Sequence, residues 1–176
     1  MAGTFVVLLA SSIVFSHTFT DSIDFLFAIV YFSALFYILV GIKDLVLINR
    51  DGWRVFLNFA LAYPAFLMYF YYNQGHFWWK LPLLFAVLLF LSKDFLKKRI
   101  VFWLVAFLGS QIAWAADFLP IGFVSSANLA ILFYATAVSY CDQYLREGLT
   151  KRHILASFSI FLVLLVAIFA FSSWGF

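Results

Sequence analysis

Charge is scarce in this 176-residue chain: Asp, Glu, Lys and Arg together make up 11% of it, against about a quarter in soluble domains. That excludes an ordinary water-facing globule. The single cysteine, Cys141, excludes an intramolecular disulfide and a cysteine-rich metal site. Three prolines and eight glycines leave few breaks, so the discontinuous helices that form transporter sites are not evident beyond Pro64. No stretch outside the apolar runs is long enough to fold as a soluble module, which excludes nucleotide-binding, kinase and nucleic-acid domains. Catalytic signatures are missing too: there is no GxSG-type turn, Walker loop, HExxH helix or DxxxD element. The last apolar run lacks the lysine that a retinal Schiff base needs, and it has no histidine beyond His153 at its start.

What is present is apolar. Hydrophobic residues make up 66% of the chain and the mean hydropathy is +1.06, in continuous runs without the period-two alternation of a membrane barrel. At about 1.5 Å per residue, and with some tilt, such runs suit a hydrocarbon core about 30 Å thick. The expected fold is therefore all-α: a polytopic transmembrane helical bundle forming a single integral membrane domain, 1–176. About seven spans are expected, near 3–16, 25–42, 54–72, 82–92, 100–116, 123–140 and 153–171. The first run is marginal, and its alternative reading as a removed signal lacks the usual positive start. Ser22 and Asp24 suit helix capping. Pro64 should remove one hydrogen bond and kink its helix near Ala60–Tyr63, while Pro82 suits a first helical turn. Phe77-Trp78-Trp79-Lys80 reads as an interfacial anchor, and Asp117–Gly122 reads as a tight connector.

One pattern recurs three times, at Leu35–Asn58, Phe85–Trp103 and Ile131–Ile154: an apolar run, an aspartate, basic residues and a second apolar run. Lys43-Asp44-Leu45, Lys93-Asp94-Phe95 and Cys141-Asp142-Gln143 occupy equivalent places. The pattern predicts a leading helix followed by three pseudo-repeated helical hairpins. Ten of the eleven basic residues fall after the second, fourth and sixth runs, and only Lys80 falls elsewhere. By the positive-inside rule the basic loops and the N-terminus are expected in the cytoplasm and the C-terminus outside, the expected residence being the plasma (inner) membrane.

Three groups of residues are candidates for function. Asp44 with Arg54, Asp94 with Lys98 and Asp142 with Arg146 would form cytoplasmic-face ion pairs, each carboxylate opposing its helix dipole unless a cation is near. His17, Asp21, Asp24, His76 and Asp117 make an outer-face polar set whose imidazoles and carboxylates suit a divalent ion in kind but not in spacing, so no metal and no cofactor is expected. Asn58, Tyr63, Gln111 and Asn128, with Ser110, Thr136 and Ser139, are intramembrane polar residues, which ordinarily bond between helices. The functional expectation is a non-enzymatic subunit or scaffold that packs with other membrane proteins, with a homo-oligomer partner, or with membrane lipid, and not with nucleic acid. A small carrier or channel for a hydrophobic or weakly polar solute is the alternative. An outer-face lipid-modifying enzyme is the third reading.

Overall fold

The structure, a computed structural model, describes residues 7–8, 22–43, 50–71, 77–96, 98–146, 148 and 150–172. Among them it is all helix and turn, without a strand. Six helices follow in order: α1 (Ser22–Lys43), α2 (Arg50–Tyr71), α3 (Phe77–Phe95), α4 (Arg99–Ala116), α5 (Phe123–Arg146) and α6 (Lys151–Phe171). Val7 and Leu8, ahead of α1, are helical and buried in the core.

Four helices close a ring. α2 packs on α3, α3 on α4, α4 on α5, and α5 returns to α2, while α1 lies against α2 and α6 against α5. Short connectors make successive helices antiparallel neighbours. The α4–α5 connector turns within a few residues, with the Ile121 amide donating to the Leu119 carbonyl across Pro120 at 2.8 Å. In the α5–α6 connector Gly148 takes a φ of 78°, a left-handed conformation that glycine adopts without a Cβ clash. Tyr71, closing α2, meets Phe123, opening α5, at 5.7 Å between ring centroids. The end of α2, the start of α3, the end of α4 and the start of α5 therefore share one end of the ring. The start of α2, the end of α3, the start of α4 and the end of α5, where the basic residues Arg54, Lys93, Lys98 and Arg99 fall, share the other end.

The ring is small inside and large outside. α4 turns Val105, Ala106, Gly109, Ser110, Ala113 and Ala116 inward, and α5 contributes fully buried Ala127 and Ala130. The same helix α4 presents Ile100, Trp103, Leu104 and Phe107 outward. In water that distribution would expose a large apolar patch; in lipid, small residues let helix backbones approach while bulky ones meet acyl chains. α6 is the extreme case, since none of its Ile154–Phe171 stretch is buried. Its hold on α5 comes from Phe133 against Phe161, 4.9 Å between centroids, and from the Tyr140 hydroxyl donating to the Ile154 carbonyl at 3.3 Å.

Among the described residues three helices are long and apolar enough to cross a membrane: Arg99–Ala116, Phe123–Leu145 and Ile154–Phe171. That is fewer than the seven spans expected. In α1 the described apolar stretch, Ile29–Gly41, is short. α2 is long enough, but it carries Asn58, Tyr63, Pro64 and Tyr69, polar or helix-breaking residues that suit a place inside the ring. Helix boundaries also run past the apolar runs. α3 begins at Phe77, so Pro82 lies inside it and not in the first turn, and α5 continues through Cys141-Asp142-Gln143 to Arg146.

Pro64 lies buried within a continuous α2. Its missing N–H leaves the carbonyl four residues earlier, that of Ala60, without its helical donor. The Tyr31 hydroxyl of α1 donates to that carbonyl. The loss that the sequence anticipates thus becomes the polar link by which α1 attaches to the ring.

Candidate functional site

Side chains from different helices form polar clusters at two places among the described residues. The first is the centre of the ring, where the Tyr134 hydroxyl of α5 donates to Asn58 Oδ1 of α2 at 3.1 Å. The Asn58 amide donates in turn to the Leu91 carbonyl of α3 at 3.1 Å. Ser92 Oγ lies 3.1 Å from the Tyr134 hydroxyl; because tyrosine spends its proton on Asn58, serine is the donor. All three side chains are buried, Tyr134 and Ser92 completely. Phe59 and Phe66 meet the Tyr134 ring edge to face at 5.9–6.4 Å. The fourth helix contributes Gly109, where an added Cβ would stand 2.8 Å from Leu88 Cδ1 and 3.1 Å from Tyr134 Cδ2. One tyrosine therefore touches or bonds all the other helices of the ring.

This centre is chemically quiet. Its donors and acceptors are spent on one another, it contains no ionisable group other than a phenol, and it offers no nucleophile beside a base. What the arrangement does is fix register, because a buried polar group in lipid must find its partner.

The second place is the opposite end of the ring from the basic connectors. Tyr69, near the end of α2, donates to Asp117 Oδ2 at 3.2 Å, and Lys80 in the first turn of α3 attracts the same carboxylate. Burial pushes the Asp117 carboxyl above the ordinary carboxylate range, against the opposing pull of the Tyr69 hydrogen bond and the Lys80 charge. Burial likewise lowers Lys80, which Asp117 partly restores. The Tyr69–Asp117 bond ties α2 to the α4–α5 connector, and the Lys80 charge of α3 favours the same carboxylate.

A carboxyl raised on folding binds its proton more tightly in the native state. Its stability contribution is full below the ordinary carboxylate range and is lost as pH rises through the raised value. Wild type should therefore lose stability relative to Asp117→Asn as pH climbs from about 4, measured by SDS titration in detergent micelles at several pH values. A difference that stayed constant, or that grew in favour of wild type with rising pH, would sink this reading.

Other sequence candidates fall as follows. Of the outer-face set, Asp117 is half-buried in the cluster just described; His17, Asp21 and His76 lie outside the described residues, and Asp24 is described only as backbone in the first turn of α1. Among the described residues no three His, Cys, Asp or Glu side chains gather as a metal site would need. Of the ion-pair set, Asp44 lies outside the described residues, and Asp94 and Arg146 are described only as helical backbone in α3 and α5. Lys98 and Arg54 are exposed and Asp142 is half-buried. Among the intramembrane residues only Asn58 enters the central network. Tyr63, Gln111 and Asn128 are partly buried, and Ser110 and Thr136 bond back to the carbonyls of Phe107 and Leu132 in their own helices.

Sequence reasoning overlooks Ser92 and Tyr134. Ser92 precedes Lys93-Asp94 and reads as the edge of a run; Tyr134 is one of nine tyrosines and reads as one more aromatic. The readable signal is position: Tyr134 lies inside the apolar run 123–140, so its hydroxyl needs a hydrogen-bond partner within the bundle. No known protein family, curated protein or solved structure matches the chain.

Proposed function

We propose that this chain is a small non-enzymatic membrane subunit whose work is to present α6 to another integral membrane protein. Its remaining helices cross the bilayer beside the three that are long and apolar enough to do so, with the basic connectors on the cytoplasmic side, as the positive-inside rule directs. The observation that carries the reading is the placement of α6. The ring of α2–α5 closes without it, and a helix of 21 residues whose Ile154–Phe171 stretch is long and apolar enough to cross a membrane is held on one side only, with Val163 and Phe158 turned away from the bundle. A partner of complementary helical surface would occupy those outward faces. The alternative of a solute carrier finds less support, because the polar groups at the ring's centre face one another and not a pathway.

Photo-cross-linking in native membranes tests the reading. A benzophenone side chain at Val163 should give one protein adduct of constant mass, while the same probe at Phe107, on the outer face of α4, should give lipid adducts. If both positions yield lipid adducts alone, the subunit reading falls.

A further inference from the structure

We infer that the α3–α4 connector holds the phosphate headgroup of an anionic phospholipid, whose acyl chains run down the outer face of α4. Two independent observations meet there. The first is where the positive charge sits. Over residues 93–99 the net charge is +3, against +1 over residues 43–54 and +1 over residues 142–152. A topogenic bias alone would be served by an even spread over the three connectors; the excess is concentrated on one. Lys93 in the last turn of α3, and Lys98 and Arg99 at the start of α4, are all exposed. Clustered cations next to a membrane-crossing helix attract anionic headgroups, each raising affinity about fivefold near the surface.

The second observation is the surface below them. Directly past Arg99, Ile100 is 81% exposed, and Trp103, Leu104 and Phe107 follow on the same outward face. Trp103 is braced by Phe85 of α3 at 5.7 Å between centroids, so the lane is shared by the two helices that the basic connector joins. A free phosphate could use the cations, but only a lipid uses the cations and the lane together. This inference is independent of the subunit reading, because it concerns α3 and α4 and not α6.

The test uses the full chain, purified in mild detergent and offered equimolar phosphatidylglycerol and phosphatidylcholine, with bound lipid counted by native mass spectrometry. Wild type should retain phosphatidylglycerol preferentially, and the preference should fall with rising salt. Lys98→Gln/Arg99→Gln should reduce the preference roughly tenfold or more, the charge-preserving Lys98→Arg/Arg99→Lys should keep it, and Arg54→Gln/Lys151→Gln should leave most of it. Equal losses in the two neutralised pairs would show a general surface charge and overturn the site. So would a wild-type protein without preference, or millimolar inorganic phosphate displacing the lipid. If the neutralised pair fails to fold, the salt titration and the phosphate competition on wild type decide the matter.

Discussion

Tyr134→Ala should cost about 3–5 kcal/mol of stability, the range for truncating a fully buried large aromatic side chain, measured as the shift of an SDS-induced unfolding transition in mixed micelles. The residue is completely buried, so the full side-chain volume becomes a void between Phe59, Phe66 and Gly109. The hydroxyl adds a separate loss, since Asn58 Oδ1 and Ser92 Oγ lose their shared partner. Tyr134→Phe isolates that part, and it should cost only about 0.6–2 kcal/mol, because hydrogen bonds within membranes are worth modest amounts. The ratio decides which effect holds the ring. If the phenylalanine variant were as unstable as the alanine variant, the polar network and not packing would dominate; if both matched wild type, the ring's centre would not lie at Tyr134.

Gly109→Leu should be comparably severe, at about 3 kcal/mol, for the opposite reason. An added Cβ already comes within 2.8 Å of Leu88 Cδ1 and 3.1 Å of the Tyr134 ring, and three further carbons have nowhere to go between α3 and α5. Gly109→Ala should be nearly neutral. Its Cβ asks the end of the Leu88 side chain to swing aside and the Tyr134 ring to give slightly, and the gain of about 1 kcal/mol in helix propensity offsets much of that strain. Adding Leu88→Ala to Gly109→Leu should recover part of the loss by exchanging volume across the contact. A Gly109→Leu protein with an unchanged transition, or a double variant worse than the sum of its parts, would refute the close approach of α4.

How much of this was legible beforehand depends on the range of the signal. Helix positions after the first run follow from hydropathy, which is local, and the α4–α5 turn is readable from Asp117-Phe118-Leu119-Pro120. The ends of α3 and α5 were not readable, because hydropathy marks where lipid stops and not where backbone hydrogen bonding stops; Cys141-Asp142-Gln143 continues as helix in spite of its polarity. Pro64 announced an orphaned carbonyl, but nothing in the sequence named Tyr31 as its donor, 29 residues away. Asn58 reads as a buried polar residue needing a partner, whereas Ser92 and Tyr134 do not, since pairing across 42 and 76 residues is a property of ring closure and not of any local pattern. By residue type Asp117 groups with the histidines; in the fold it accepts from Tyr69 and feels the charge of Lys80.

The spacing of those partners also sets an order in time. Asn58 is made first, the Leu91 carbonyl follows 33 residues later, and Tyr134 only 76 residues after Asn58. At a synthesis rate of about 5–20 residues per second, the asparagine spends on the order of 4–15 s in the growing chain before its last partner exists. The α2–α3 hairpin can hold its amide through the first part of that interval, leaving Oδ1 as an open acceptor. The nascent chain is thus an incomplete ring with a polar notch on its inner wall, and α5 is the stave that both fills the notch and shuts the barrel.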